Sequence, residues 1–387
     1  MKHIKYFNMN LIQKLLAVYF CFCLQTLVAQ DTPYFPARGV EWGTKPAAEV
    51  KLAEKQLKEL IAFAQAHEYT ESRDLRQAIL KGFEREPFHK ILGETKERGG
   101  PAGMVIKNGY LVASWGDIDR VDMTFSVTKS FLSTTAGLAV DRQIINSIDD
   151  SVKQYVWQGE FDGHHNEKIT WRHLLTQSSD WYGQLWGSYD WADRPPSEGD
   201  INDWSKRSLN EPGTVFEYND VRVNLLAYSL LQVWRKPLPQ VLKEHIMDPI
   251  GASNTWRWFG YDNSFITVDG INMQSVSGGG HSGGGMFIST RDMARFGLLF
   301  ANNGTWNGEQ LISKDWIGDA VQPSKAKDDY GLMWWLDNKD NKLPFYYAAG
   351  FGGNFIIIDP ENQLVVVTRW LNPSNFDEFV ELLYKTF

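Results

Sequence analysis

Strand-forming segments occur in two distant parts of this chain, and their separation constrains the fold more than any other feature. Residues 102–115 predict a β-hairpin, because two apolar runs flank Asn108-Gly109 and Asn-Gly is the strongest short hairpin signal. Two more strands are predicted near residues 353–359 and 363–370. Residues 149–270 indicate helices with long aromatic loops. We therefore expect an α+β fold, in which both parts share one antiparallel sheet flanked by helices, with a separate helical lobe.

The start of the chain is typical of a secretory signal peptide. Lys2, Lys5 and Lys14 precede a short apolar run at 15–24, and small residues follow up to Ala29. An uncleaved anchor is the alternative, although the run is short for a membrane span. We therefore expect an exported protein, either periplasmic or secreted, with no membrane span after cleavage.

Three divisions of the chain follow from these patterns. Residues 1–29 form the signal peptide, and residues 30–100 form an N-terminal extension. An amphipathic helix is expected within that extension between Lys51 and Glu68. The main domain is expected at 101–387, with the helical lobe inserted at about 141–275.

Cysteine use and charge exclude several classes of function. Both cysteines, Cys21 and Cys23, lie in the predicted leader, so disulfides, thiol catalysis and cysteine-based zinc sites are not expected in the mature chain. The net charge is −8 and no Lys/Arg run stands out, which argues against a nucleic-acid partner. No motif with metal-ligand spacing is present, so we expect neither a metal nor a cofactor. Nothing in the sequence indicates an oligomeric state.

The strongest chemical signal is Ser126-Val127-Thr128-Lys129, which opens a mostly apolar helix. Residues three apart lie on one helix face, so the serine hydroxyl and the lysine amine can meet. A lysine can accept the serine proton if burial lowers its pKa, and an apolar helix provides burial. The alternative is a capping serine with a solvated lysine.

Two later segments are candidates to complete this site. Tyr218 precedes an apolar helix, where a phenol can pass protons between a nucleophile and a leaving group. Residues 350–353 (Gly-Phe-Gly-Gly) enter a strand, where a backbone N–H can stabilise an oxyanion. The alternatives are a core tyrosine and a glycine-rich bulge.

The order, spacing and flanks of these segments resemble the class C β-lactamase-like serine hydrolases. That family includes penicillin-recognising carboxypeptidases, esterases and 6-aminohexanoate-oligomer hydrolases. The resemblance covers roughly residues 100–372 and implies a β-lactamase/transpeptidase-like fold. The residues that carry it include Phe125–Ser130, Ile148–Val152, Ile169–Thr176, Gly283–Arg295 and Ala349–Gly353.

The resemblance also implies the roles of individual residues. Ser126 corresponds to the nucleophile, Lys129 to its base partner and Tyr218 to the proton shuttle. The backbone N–H groups of Ser126 and of Gly352 or Gly353 would form the oxyanion hole. Asn219 and Asp220 would line the substrate-binding site.

Two departures from the family pattern affect the expected chemistry. The tyrosine motif usually reads Tyr-x-Asn, but here Asp220 replaces the amide. A carboxylate near Lys129 favours the ammonium, so the identity of the acylation base, Lys129 or Tyr218, stays open. The third motif has Ala348 where the family's penicillin-binding members have a cation that meets a substrate carboxylate. This favours a small ester or amide substrate.

Three alternatives remain. The first is a D,D-carboxypeptidase or β-lactamase that acts on cell-wall peptides or antibiotics. The second is a non-catalytic binding protein that retains the fold. The third is a different nucleophile, Ser282, within Gly280–Gly284, which fits the G-x-S-x-G pattern. In that pattern a histidine must follow the serine, and the last histidine of the chain is His281, so a packed turn is the preferred interpretation.

Overall fold

The computed structural model describes residues 33–196, 198–337 and 343–387. The chain divides into two units, Met1–Pro33 and Tyr34–Phe387, and every element below belongs to the second. The predicted signal peptide lies outside the described residues.

The regular elements are as follows, in chain order. The strands are β1 Ala102–Lys107, β2 Tyr110–Trp115, β3 Asp122–Met123, β4 Gln184–Leu185, β5 Ser188–Tyr189, β6 Arg257–Val268, β7 Ile271–Val276, β8 Gly285–Ile288, β9 Thr305–Trp306, β10 Glu309–Gln310, β11 Trp335–Leu336, β12 Tyr346–Gly350, β13 Asn354–Asp359 and β14 Leu364–Arg369. The α-helices are α1 Glu54–Ala66, α2 Leu75–Gly82, α3 Thr128–Asp141, α4 Trp171–Leu175, α5 Ile201–Trp204, α6 Asp220–Trp234, α7 Leu238–Leu242, α8 Thr290–Ala301, α9 Lys314–Ala320 and α10 Phe376–Tyr384. Short 3-10 turns include Ala47–Val50, Phe125–Val127 and Asp190–Ala192.

The main sheet joins the two distant strand regions, as the sequence predicts. Its order is β11-β12-β13-β14-β1-β2, and all neighbouring pairs are antiparallel. Ala102 of β1 pairs with Arg369 of β14, so the early and late strands meet at the centre of the sheet. Asn108 and Gly109 both have positive φ, as the predicted hairpin turn requires.

Helices cover both faces of this sheet. Ile356 and Ile358 of β13 belong to the core shared with α8, whereas Phe355 and Ile357 belong to the core shared with α1 and α10. This alternation follows from the two-residue period of a strand. Full burial of each such side chain stabilises the fold by about 1.5–3 kcal/mol. The α+β prediction is therefore confirmed.

The predicted helical lobe differs from the structure in its last part. Arg257–Val268 and Ile271–Val276 form a long β-hairpin, which joins β3 and β8 in a second sheet of order β3-β8-β6-β7. The hairpin turns at Asp269-Gly270, where both residues have positive φ. Asp-Gly between apolar runs is itself a hairpin signal, which the prediction of helices overlooked.

The helices α3, α6 and α7 contribute to the large core that lies beside this second sheet. All residues of α3 up to Ala139 are buried. No helix in the described part of the chain is long and apolar enough to cross a membrane. Ser126 lies in the short 3-10 turn Phe125–Val127, and Lys129 lies in the first turn of the buried helix α3 that follows it.

Candidate active site

Ser126 lies in a strained turn at the entrance to the buried helix. Phe125, just before it, has a φ of +48°, a conformation that is uncommon for bulky residues and concentrates at functional sites. The turn is fixed from β8, because Thr124 N donates to Met286 O and Met286 N donates to Thr128 Oγ1. Ser126 itself is only partly buried. Its hydroxyl is thus held at the start of a helix and remains accessible.

Lys129 makes the predicted contact with this hydroxyl. Its Nζ lies 2.9 Å from Ser126 Oγ and 2.5 Å from Asp220 Oδ1, and its side chain is 2% exposed. Burial by itself lowers the pKa of a lysine, but the Asp220 carboxylate outweighs burial and raises the pKa of Lys129. Lys129 is therefore an ammonium at neutral pH, whereas only a neutral amine could accept the serine proton.

Asp220 binds a second cation. Arg194 Nη2 lies 2.6 Å from Asp220 Oδ2, so the two carboxylate oxygens pair with two different side chains. Burial raises the pKa of a carboxyl group, yet Lys129 and Arg194 together hold the pKa of Asp220 well below its usual range. Gly279 covers the pair closely: a Cβ there would lie 1.8 Å from Asp220 Oδ1. The family-atypical aspartate is thus a fully ionised bridge.

Tyr218 lies beside both cations. Lys129 Nζ is 4.7 Å from its ring centroid and Arg194 Cζ is 5.1 Å from it. The ring stacks on Trp335 with centroids 5.9 Å apart. The structure therefore places the predicted proton-transfer residue next to Lys129, the partner of Ser126, with both cations over its ring.

The side chain of Asn219 caps the N-terminus of helix α6. Its Oδ1 accepts from Arg222 N at the start of α6, and its Nδ2 donates to Asp190 O at 2.8 Å. Both polar ends of this buried side chain are therefore partnered within the protein. Substrate contact through Asn219 is a prediction that this geometry does not support.

The glycine turn reaches the nucleophile through a different residue from those predicted. A Cβ on Gly350 would lie 2.2 Å from Thr124 O and 3.3 Å from Ser126 N, so Gly350 packs directly against the nucleophile turn. Gly353 N donates to Gly350 O at 3.1 Å and is thus already used. Gly352 packs on Trp370. The residue after Gly350 is Phe351, which contacts Phe125 with centroids 5.0 Å apart.

A further buried network lies behind Arg194. Arg194 Nη1 is 2.6 Å from Asp193 Oδ1, and Nη2 is 3.1 Å from His281 Nδ1. His281 Nε2 lies 2.5 Å from Glu86 Oε2. Burial and the nearby Arg194 cation lower the pKa of His281, so its ring is neutral at pH 7.

Two triads in this network have the composition of metal ligands: Glu86, His89 and His281, and Asp193, Asp220 and His281. In the second triad, Asp220 already pairs with two of the protein's own cations. In the first, Glu86 accepts from Arg194 N and pairs with His281. These donor atoms are used for contacts within the protein and do not form a vacant ligand set.

Ser282 lies in a buried turn, and a packed turn was the interpretation preferred from the sequence. Its carbonyl accepts from Leu92 N at 2.8 Å and from Gly93 N at 3.1 Å, which ties the N-terminal segment to the turn. Its side chain is buried. The G-x-S-x-G pattern therefore belongs to a glycine-rich turn beside the charged network.

Comparison with known proteins adds the family. The Beta-lactamase family model matches residues 90–372, which is more than half of the chain. The chain belongs to the Beta-lactamase family. This membership confirms the resemblance drawn from the motifs.

Relatives within and around this family differ in what they are named for. "Putative D-alanyl-D-alanine carboxypeptidase" of Escherichia coli O157:H7 is 24% identical over 195 residues, which are 41% of this chain and 45% of that protein. The chain thus spans less than half the length of that relative. The 6-aminohexanoate-dimer hydrolase of Paenarthrobacter ureafaciens is 22% identical over 302 residues, 68% of this chain and 70% of that protein. A family VIII carboxylesterase structure aligns with a TM-score of 0.55 at 16% identity, covering 87% of this chain and 99% of its own.

Several residues of the candidate site in this Beta-lactamase family member escaped the sequence analysis. Arg194 and Asp193 stand just before Pro195-Pro196 in an aromatic loop, and a charged pair before two prolines was the available signal. Gly279 lies in a run of three glycines, which indicates close approach of the backbone. Glu86 carried no signal, because only the folded chain brings it to His281.

Proposed function

We propose that the protein is an exported serine hydrolase that cleaves an ester or amide bond through an acyl-enzyme on Ser126. The observation that carries this proposal is the 2.9 Å contact between Lys129 Nζ and Ser126 Oγ at the start of a buried helix. A buried ammonium is costly and needs a reason to be there. Membership of the Beta-lactamase family supports the same reaction class.

The acylation step is assigned to Tyr218 as base. Asp220 keeps Lys129 protonated, so Lys129 donates a hydrogen bond to Ser126 Oγ and cannot accept the serine proton. The serine proton passes to the oxygen of Tyr218 while Ser126 Oγ bonds to the acyl carbon. Collapse of the tetrahedral intermediate breaks the bond to the leaving group, which receives that proton from Tyr218. Hydrolysis repeats these transfers with water, and frees Ser126.

The oxyanion is assigned to two backbone N–H groups. Ser126 N belongs to the first turn of its helix, where N–H groups have no partner within the helix. The second donor is Phe351 N, because Gly350 packs on Ser126 N and Gly353 N is already hydrogen-bonded. This proposal differs from the sequence-based prediction, which named Gly352 or Gly353. Each such donor typically contributes a factor of about 10²–10³ in kcat.

The substrate class follows from the absence of a cation at the third motif and from the aromatic surroundings. Ala348 is buried in β12 and offers no charge to a substrate carboxylate. Trp335 and Phe351 extend the aromatic surface around Tyr218 and Ser126. We infer a small, uncharged or apolar acyl group in an ester or amide. The relatives named as an amide-oligomer hydrolase and a carboxylesterase are consistent with this class.

Export is proposed from residues 1–29 alone. The full-length chain, expressed in a Gram-negative host, is expected in the periplasm with its N-terminus near Gln30. Mass spectrometry of the intact fractionated protein tests this. Retention of Met1 on a membrane-bound protein would favour the uncleaved anchor.

The catalytic proposal is tested with a fluorophosphonate probe, which labels activated serines. The chain is treated with the probe, digested, and the modified peptide is identified by mass spectrometry. We expect label on Ser126, loss of label in Ser126→Ala and retention of label in Ser282→Ala. Label on Ser282 would overturn the assignment, and no label on the folded wild-type protein would favour a non-catalytic binder.

A further inference from the structure

Arg194 bridges two buried carboxylates beside the nucleophile. Its guanidinium contacts two carboxylates at 2.6 Å each, Asp193 through Nη1 and Asp220 through Nη2. Both carboxylates are buried, each with a side chain 2% exposed. An arginine fork is suited to this arrangement, since its donors have fixed geometry.

The backbone of Arg194 is held in an uncommon conformation. Its φ is +51°, in the left-handed region that non-glycine residues rarely adopt. Arg194 N donates to Glu86 Oε1 at 3.1 Å, and Pro195 follows directly. Strained backbone that the surroundings enforce concentrates at functional sites. The double ion pair with two buried carboxylates therefore fixes the position of this guanidinium.

Arg194 is one of the two cations that contact Asp220. Asp193 contacts the same guanidinium, and burial raises the pKa of Asp193. His281 lies 3.5 Å from Asp220 Oδ2 and pairs with the carboxylate of Glu86. Without Arg194, two buried carboxylates would face one ammonium. Lys129 would then be drawn toward them, although its role requires it to stay on Ser126 Oγ.

Arg194 also acts on the phenol. The charged groups facing Tyr218 are Lys129 from α3 and Arg194 from the loop after β5, at 4.7 Å and 5.1 Å from the ring centroid. A further titratable neighbour is Tyr330, whose ring centroid lies 6.4 Å from that of Tyr218. Lys327 lies over the ring of Trp335, which stacks on Tyr218. Two cations therefore flank the ring, and removal of Arg194 would leave one.

Binding of a substrate carboxylate is the obvious alternative role for an arginine near a nucleophile. Arg194 already pairs with Asp193 and Asp220, so its charge is compensated before a substrate arrives. A third carboxylate would meet two others. The contacts therefore favour a role that acts through Tyr218 and Lys129.

We propose that Arg194 is a positioning residue for Ser126 chemistry: it shares Asp220 with Lys129, keeps the ammonium on the serine, and places a second cation beside the ring of Tyr218. This inference rests on the proposed function. It explains how a carboxylate can stand where the family has an amide without removing the base.

The test is the second-order rate of fluorophosphonate labelling of Ser126 as a function of pH, which needs no knowledge of the substrate. In Arg194→Met we expect at least a tenfold lower rate at pH 7, with the acidic limb of the profile moved up by about 1–2 pH units. Arg194→Lys keeps the charge, and its limb should match that of the wild type. Arg235→Met is the matched control, because Arg235 also has a positive φ of 53° and pairs with an aspartate, at the surface.

Outcomes separate this inference from the proposed function. Absence of Ser126 label in the wild type would remove both. If Ser126 is labelled in the wild type but the acidic limb of the pH profile is the same in Arg194→Met, the role of Arg194 is wrong and the proposed function stands. If Arg194→Met does not fold, the double variant Asp193→Asn/Arg194→Met is used in its place, because it removes Arg194 together with the carboxylate that it contacts. Failure of both neutral variants to fold would assign Arg194 to stability and would also overturn the proposal.

Discussion

The substitution Asp220→Asn tests the charged centre most directly, because it removes one charge and changes few atoms. Asp220 and Lys129 are each 2% exposed and lie 2.5 Å apart, and Asp220 also pairs with Arg194. Removing one partner of a buried ion pair costs about 3–5 kcal/mol. The amide oxygen still accepts a hydrogen bond and Arg194 keeps Asp193, so we expect the lower end, about 3 kcal/mol in the free energy of unfolding at pH 7.

The pH dependence of this loss follows from the directions of two pKa shifts. Lys129 and Arg194 lower the pKa of folded Asp220 against the effect of burial, so its contribution is present above the unfolded value of about 3.9 and is lost as pH falls through the folded pKa. Despite burial, Asp220 raises the pKa of Lys129, so that contribution is present below about 10.4 and is lost as pH rises through the folded pKa. The contribution of the pair in the wild type should therefore be constant from about pH 5 to pH 9. In Asp220→Asn, burial of Lys129 is no longer outweighed and lowers the pKa of Lys129, so the variant gains stability as this ammonium loses its proton and the stability difference should narrow as pH rises.

Urea unfolding at pH 5, 7 and 9, followed by tryptophan fluorescence, measures this difference, and the chain's 16 tryptophans provide the signal. Asp269→Asn is the matched control, since Asp269 pairs with Arg235 in an exposed hairpin turn where asparagine also tolerates positive φ. It should change stability little. Equal stability of Asp220→Asn and wild type at all three pH values would refute the ion-pair reasoning, as would a difference that grows between pH 5 and pH 9.

Three further predictions concern the surroundings of the site. Gly350→Ala should lower stability by about 1–3 kcal/mol in urea and slow labelling of Ser126, because its Cβ would lie 2.2 Å from a backbone oxygen. Gly318→Ala, in a helix with open space, should instead stabilise by about 0.5–1 kcal/mol. Arg222→Met should cost about 3–5 kcal/mol in urea while the folded protein labels at the wild-type rate, because Arg222 pairs with buried aspartates away from the nucleophile. Turnover of nitrocefin, followed by absorbance, should be far slower than that of p-nitrophenyl esters, and comparable rates would contradict the argument from Ala348.

Local signals account for the parts of the fold that the sequence predicted well. Asn108-Gly109 specifies its turn within two residues, and the apolar period of Glu54–Ala66 specifies a helix without reference to the rest of the chain. The contact between Ser126 and Lys129 was predictable for the same reason, because three residues of helix fix it. Asp269-Gly270 was an equally local signal, and the hairpin there was missed because the surrounding segment was interpreted as helical.

The buried ion pairs of Lys129, Asp220, Arg194 and Asp193 were not predictable in this way, because these residues are brought together only when the loops fold. Asp220 was identified as a departure, but its effect depends on Arg194, whose loop must turn at a left-handed residue to reach it. The same holds for the oxyanion donor proposed at Phe351, since only the folded chain brings Gly350 against Ser126 N. Sequence patterns therefore identify the groups that react, and the folded structure identifies the groups that set their charge.

Asp220 was also the main reason to consider a non-catalytic binder, and the structure changes the weight of that argument. A binder would need neither a buried ammonium 2.9 Å from a partly accessible serine nor positive φ at both Phe125 and Arg194. Strained residues of this kind cost about 1–3 kcal/mol each, and a protein without a reaction to perform would lose nothing by relaxing them. Compensation of Asp220 by a second cation, at the cost of a strained backbone, is what we expect where the charge on Lys129 and Tyr218 still matters. The buried contact between Lys129 and Ser126 therefore supports our proposal of an active enzyme in which Asp220 and Arg194 hold Lys129 as an ammonium.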